Sequence, residues 1–86
     1  MKEDRCKCEV RDFLSKNMRN VRYELSLSQM EFAEKLQIDR RSYLELEHGR
    51  NLCCTMTLLL YLIYCCKDPE GLLKECKKIF DKHGYS

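Results

Sequence analysis

The chain has few of the residues that interrupt helices: three glycines and one proline occur among its 86 residues, and it has no low-complexity run. With 44% hydrophobic and 35% charged residues, this composition is typical of a helical globular protein and not of a disordered tail. A chain this short forms one domain with a modest core unless metals, disulfides or a partner chain add to it.

Long apolar runs are also missing. The longest, residues 58–66, has nine residues, whereas a membrane-spanning helix needs about 20. The first four residues do not lead into the apolar core of a signal peptide. We therefore expect no membrane segment and a cytoplasmic location.

The chain has little net charge. Its formal value is +2, and this net charge divides almost evenly: 0 over residues 1–15, +1 over residues 16–51 and +1 over residues 52–86. Many monomeric proteins that bind nucleic acids carry a much stronger positive field. Any affinity for a polyanion would therefore come from a local patch or from the doubled contacts of a dimer.

Cysteine is abundant, but its pattern is not that of a disulfide scaffold. The number, seven, is odd, and four of the cysteines form two adjacent pairs that cannot bridge without strain. A zinc site could draw on Cys6 and Cys8 with Cys53, Cys54 or His83, yet no Cys-x-x-Cys pair occurs. Thiols that behave as small hydrophobes in a reducing cytosol are the favoured alternative. We expect neither a metal nor another cofactor.

The apolar periodicity predicts five helices and no strand, an all-α fold. The first follows a frayed lead-in of residues 1–9, begins at Val10 and ends before Ser26. Its apolar positions recur at steps of three and four residues: Val10, Leu14, Met18, Val21 and Leu25.

Two short helices, 28–36 and 39–48, are predicted next. Ser28 and Glu31 have the spacing of a capping box, and Asp39 is a good N-cap. Gly49 can adopt the left-handed conformation that ends a helix. The inward positions are Phe32, Ala33, Leu36, Ile38, Tyr43 and Leu46.

The last two helices follow a loop. Thr55 or Thr57 is expected to cap an apolar helix that runs to about Cys66, and Asp68 with Pro69 begins a final helix that ends before Gly84. One face of this final helix is apolar: Leu72, Leu73, Cys76, Ile79 and Phe80. The chain thus divides into a lead-in (1–13), a central domain (14–66) and a C-terminal amphipathic helix (67–86).

The central part resembles a known family. Its motifs are Asn17-Met-Arg-Asn-Val-Arg22, the stretch Leu27-Ser-Gln-Met-Glu-Phe-Ala-Glu-Lys-Leu36, Ile38, and Leu46-Glu-His-Gly49. Together they resemble the lambda-repressor/Cro-like (Xre-type) helix-turn-helix domain over residues 14–66. The resemblance implies a regulator of transcription that binds double-stranded DNA, with the helix at 39–48 in the major groove.

The resemblance also implies roles for single residues. Gln29, beside Ser28, matches a glutamine that binds a phosphate and supports the recognition helix. Arg40 and Arg41 match positions that enter the groove first, where arginine reads guanine. The expected neighbours in the groove are Ser42, Leu44 and Glu45, and the expected backbone contacts are His48, Arg50 and Asn51.

Other matching positions are structural. Arg22 and Glu47 match an internal salt bridge of the family. Ser26 and Gln37 stand where the family often has glycine, which costs about 1 kcal/mol each if the backbone there needs a positive φ. Each functional assignment has an ordinary alternative: arginines at helix starts and Glu45 are often simply solvated, and Tyr43 at an inward position belongs to the core.

The sequence does not favour an enzyme, because His48 and His83 accompany no nucleophile arrangement and no phosphate-binding glycine loop occurs. The main alternative to DNA binding is a protein-interaction module of the same fold, such as an antitoxin with a toxin partner or an adaptor. If the protein binds DNA, we expect a homodimer on two half-sites. One side of the apolar helix needs cover, and its residues include Leu58, Tyr61, Leu62 and Tyr64. The final helix could cover that side within the chain or join with it to face a second chain. In a dimer the partner surface should involve Leu73, Ile79 or Phe80.

Overall fold

The computed structural model describes the backbone of residues 2–85 and the side chains of residues 5–85. Within this part of the chain the regular structure is entirely helical, as the sequence predicts, and no strand occurs. The helices are α1 (Lys2–Glu24), α2 (Gln29–Lys35), α3 (Arg40–Glu47), α4 (Thr55–Leu60), which continues directly into a π-helical segment (Tyr61–Cys65), and α5 (Pro69–Lys82). No described helix is long and apolar enough to span a membrane.

Helix α1 begins at Lys2, well before the start predicted at Val10. The prediction of a frayed lead-in at residues 1–9 is therefore wrong from residue 2 onward. The reason is tertiary: Cys6 is buried, and Glu9 pairs with Lys82 and His83 at the end of α5. Leu25, expected on the apolar face of this helix, lies beyond its end and is exposed.

The core forms where α1, α2, α3, the π segment and α5 meet. Its largest fully buried side chains are Tyr43, Tyr61, Phe32, Met18 and Leu36. The ring of Phe32 packs edge-on against Tyr43, with ring centroids 5.3 Å apart, and against Tyr61 at 6.2 Å. Three helices are thereby joined through one aromatic side chain.

Two turns of the chain adopt left-handed backbone conformations at residues other than glycine. Ser26, between α1 and α2, has φ of 57°, and Gln37, between α2 and α3, has φ of 58°. These are the two positions where the sequence lacks an expected glycine, and a side chain there costs about 1 kcal/mol. Gly49, with φ of 71°, ends α3 as predicted.

The helix after the loop differs from its prediction in its cap. The N-cap of α4 is Cys54, and neither Thr55 nor Thr57. Thr57 lies within the helix, and its side chain is buried. Tyr61, expected on an uncovered side, is fully buried, and its hydroxyl donates a hydrogen bond to Asn17 of α1. The cover that Tyr61 was predicted to need is therefore supplied within the chain.

The final helix begins and ends near the predicted residues. Asp68 is its N-cap and accepts a hydrogen bond from the amide of Gly71, and His83 is its C-cap. Its apolar face is only partly covered: Leu72 is buried, whereas Leu73 and Phe80 are exposed.

Candidate nucleic-acid interface

The two sides of helix α3 differ sharply in exposure. Tyr43, Leu46 and Glu47 are buried against the other helices. Arg40, Arg41 and Ser42, in its first turn, are exposed. The helix therefore presents its first turn to solvent, and the core holds the opposite side.

Glu47, at the end of α3, is bound by side chains from two other helices. One carboxylate oxygen, Oε1, accepts hydrogen bonds from Arg22 Nη2 at 2.7 Å and Arg22 Nε at 3.0 Å. The other, Oε2, accepts from Gln29 Nε2 at 2.9 Å. The side chains of Arg22 and Glu47 are only 10% and 3% exposed. The implied Arg22–Glu47 salt bridge is thus present, and Gln29 extends it to α2.

The surroundings of Glu47 favour the charged form of Arg22 and the neutral form of Tyr43. Burial lowers the pKa of Arg22, but the hydrogen bond and the charge of Glu47 outweigh that effect, so that its pKa is raised. Burial together with the Glu47 charge raises the pKa of Tyr43 to about 12. Both groups therefore keep their ordinary protonation states, and the Glu47 carboxylate holds α1, α2 and α3 together.

The start of α2 is capped as its sequence predicts. Ser28 Oγ accepts a hydrogen bond from the amide of Glu31 at 3.1 Å, and Glu31 Oε1 accepts one from the amide of Ser28 at 2.9 Å. Hydrogen bonding to the Glu31 carboxyl, first from the Ser28 amide and then from the Ser28 side chain, lowers the pKa of Glu31. Gln29 is half-buried beside this cap, with its side-chain nitrogen already bound to Glu47.

The start of α3 is capped less completely. Asp39 is at the N-cap position with an extended backbone, as expected, but its side chain does not cap a backbone amide of the helix. Hydrogen bonding to Ser42 lowers the pKa of Asp39. The carboxylate therefore stays ionised beside the two arginines that follow it.

A surface groove brings part of the expected site together. Arg41, Ser42 and Glu45 of α3 form one side of it, and the loop from Asn51 to Cys54 forms the other. Arg40, Leu44 and His48 do not line this groove; Arg40 and His48 are exposed, and Leu44 is half-buried. The exposed side of α3 is thus divided into a groove and a surface beside it.

Arg50 is held at the edge of this region. Its Nη1 lies 3.5 Å from Glu45 Oε1, and its carbonyl oxygen accepts a hydrogen bond from Arg11 Nη1 at 3.5 Å. Since the Arg50 side chain is 67% exposed, the pair with Glu45 is weak, and Arg50 remains available to a stronger anion.

Three residues of the loop wall of the groove, and one cation beside it, were not assigned to the interface from the sequence. Leu52, Cys53 and Cys54 line the groove, and only their closeness to Asn51 in the sequence pointed to them. Arg11 had no local signal, because its contact with Arg50 joins residues 39 positions apart.

The cysteines of the described region are all free thiols. Among residues 5–85, no three Cys, His, Asp or Glu side chains lie close enough together to hold a metal ion. The combination of Cys6, Cys8, Cys53, Cys54 and His83 considered from the sequence is therefore not assembled here.

Comparison of the chain with protein-family models, with curated proteins and with solved structures finds no match in any of the three.

Proposed function

We propose that this chain is a non-catalytic regulator of transcription that binds double-stranded DNA sequence-specifically, with α2 and α3 as a lambda-repressor-like helix-turn-helix. The observation that carries the proposal is the binding of Glu47 by Arg22 and Gln29. These bonds fix α3 to α1 and α2 while the first turn of α3 stays exposed. A helix held rigidly with a basic, solvent-facing start is what insertion into a major groove requires.

The first turn of α3 supplies the groups that would read bases. Within the described part of the chain, neither Arg40 nor Arg41 has an acidic side chain within salt-bridge distance. An unpaired guanidinium can donate two parallel hydrogen bonds to guanine O6 and N7. Farther along the helix, Glu45 suits the amino group of cytosine and Leu44 suits the thymine methyl.

The two ends of this two-helix unit supply contacts to the DNA backbone. Ser28 and Gln29 lie at the start of α2, and His48, Arg50 and Asn51 follow α3. Such contacts set the position of a protein on the duplex but carry no sequence information. In this proposal the backbone contacts orient α3, and the arginines select the site.

The experiment that tests the proposal is selection of duplexes from a random DNA library by the purified chain, followed by sequencing. We expect one enriched motif that disappears when Arg40 and Arg41 are both changed to Ala. Lys74→Ala, which removes an exposed cation on α5, is the matched control and leaves the motif unchanged. If no motif is enriched, the proposal is wrong, and the protein-interaction module becomes the better hypothesis.

A further inference from the structure

The outward side of α4 and the π segment carries large apolar side chains without cover. Met56, Leu59, Ile63 and Tyr64 are 63%, 48%, 66% and 75% exposed. We call these four residues the outer stripe. The opposite side, formed by Thr57, Tyr61 and Cys65, is buried in the core. The outer stripe is therefore the side of this segment that the rest of the described chain leaves uncovered.

Charge is absent from this part of the sequence. No Asp, Glu, Lys or Arg occurs between Arg50 and Lys67, although 35% of the chain is charged. A partner recognised by charge would find nothing to pair with here. Near the two-fold axis of a symmetric dimer, by contrast, each residue faces its own copy, so a charged residue would repel itself and an uncharged apolar one would not.

We infer that the outer stripe is the surface through which two copies of this chain associate. This inference rests on the proposed function: the second copy is the partner that binds the second DNA half-site. An aromatic side chain can bury about 150–250 Å², and Met, Leu and Ile are somewhat smaller, so the four partly exposed residues offer at most about 500 Å² per copy. Two copies would bury at most about 1,000 Å², the lower limit for a specific interface. The dimer is therefore modest in strength, and binding to two half-sites strengthens it.

The apolar residues of α5 form a competing surface. Leu73, Phe80 and Tyr85 are exposed, and the sequence predicts Leu73, Ile79 or Phe80 at the interface. A groove there is lined by Leu73 and Phe80 together with the Lys77–Asp81 ion pair. Burying that pair in a dimer would cost its hydration. The outer stripe has no such cost, and it is the better interface.

The test is sedimentation equilibrium of the full chain without DNA, over a wide range of concentrations. Ile63→Glu and, separately, Leu59→Glu each place a charge on the stripe. We expect either to raise the dissociation constant of the dimer by more than about tenfold, because the two new carboxylates face each other. Leu73→Glu is the matched control on α5 and leaves the dimer intact.

Circular dichroism of each variant shows whether it folds, so that loss of the dimer can be separated from loss of structure. A wild-type chain that stays monomeric at all concentrations overturns the inference. So does a dimer that Leu73→Glu breaks and both stripe variants leave unchanged.

Binding to one half-site and to a palindromic pair, taken from the selected motif, separates this inference from the proposed function. Selective binding by a permanent monomer, with full affinity for one half-site, would reject the dimer and support DNA binding. A dimer that the stripe variants break but that selects no DNA motif would support the dimer interface and reject the proposed DNA binding.

Discussion

Arg22 of α1 and Glu47 of α3 form a buried salt bridge across 25 residues of sequence, with Nη2 2.7 Å from Oε1. Arg22 also donates a hydrogen bond to the carbonyl of Leu27 at 3.2 Å, so the same guanidinium supports the turn that leads into α2. Breaking a buried pair by removing one partner leaves a charge without compensation and costs about 3–5 kcal/mol.

A double-mutant cycle tests this relationship. We expect Arg22→Met alone and Glu47→Leu alone each to lower the free energy of unfolding by about 3–5 kcal/mol. The double variant should lose less than either single variant, because no unpaired charge then stays buried. Chemical denaturation of the four proteins measures the coupling. Strictly additive losses would show that the two side chains do not stabilise each other.

Arg40 and Arg41 should affect DNA selectivity, whereas Gln29 should not. Changing either arginine to Ala is expected to cost about 1–3 kcal/mol on the preferred site and to relax selection at one base position. Gln29→Ala should weaken binding to all sequences alike, because its side chain supports α3 through Glu47 and would contact phosphate. Titration of specific and random duplexes at one salt concentration separates the two effects. Equal losses on both duplexes in the arginine variants would contradict direct readout.

Gln37 is expected to be better replaced by glycine. Its φ of 58° is left-handed, where a side chain is strained and glycine is not. The strain of about 1 kcal/mol is offset in part by about 0.4–1 kcal/mol for the greater freedom of glycine in the unfolded chain. We therefore expect Gln37→Gly to raise the free energy of unfolding by up to about 0.5 kcal/mol. Lys35→Gly, at the last residue of α2, is the control and should lower it, by less than the ~1 kcal/mol that glycine costs in a helix interior. A loss of stability in Gln37→Gly would mean that the Gln37 side chain compensates for the strain.

Acid should loosen the contact between the ends of the chain. Hydrogen bonds from Lys82 and then from His83 lower the pKa of Glu9 below its ordinary value of 4.5. A carboxyl whose pKa is lower in the folded state stabilises that state above its unfolded pKa and stops doing so as the pH falls through the folded value. We therefore expect thermal stability to fall below about pH 4.5, and Glu9→Gln to show a shallower fall. Thermal melts of both proteins across this pH range provide the measurement. The same fall in melting temperature with pH in the wild-type chain and in Glu9→Gln would contradict the prediction.

Cys54 should react before Cys53 and Cys65. It is exposed, and hydrogen bonding, chiefly to the Thr57 hydroxyl 3.3 Å from its sulfur, lowers its pKa. Burial raises the pKa of Cys53 and Cys65. Since the thiolate is the nucleophile, we expect iodoacetamide to modify Cys54 before those two, as followed by peptide mass spectrometry. Thr57→Val should slow its modification, and an unchanged rate would show that Thr57 does not lower the pKa of the thiol.

Local signals in the sequence predicted much of this structure. The capping box of Ser28 and Glu31, the cap at Asp68 and the positive φ of Gly49 depend on neighbours within a few residues, and all three are present. The start of α1 was missed, and the contacts that cover Tyr61 were left open. The first depends on His83, 74 residues from Glu9, and the second on Asn17, 44 residues away.

In the candidate site, too, some features were predicted from the sequence and others depend on how distant parts of the chain pack. The family resemblance identified Arg22, Glu47 and Gln29, whose side chains meet. It also pointed to Ser26 and Gln37 as turn positions where the family often has glycine, and both have a positive φ. The groove wall from Asn51 to Cys54 depends on how the loop folds back onto α3. Periodicity carries no information about such a loop, because no helix face sets its direction.

The bridge from Glu9 to Lys82 and His83 also bears on how the molecule opens in the native state. Residues 5–10 and the last turn of α5 lie at opposite ends of the sequence, yet neither can separate without breaking the same contacts. They should therefore behave as one cooperative unit in hydrogen exchange, with matching protection of their amides. Trimming the chain after Asp81 would then speed exchange near Glu9 while leaving the amides around Tyr43 almost as protected as before.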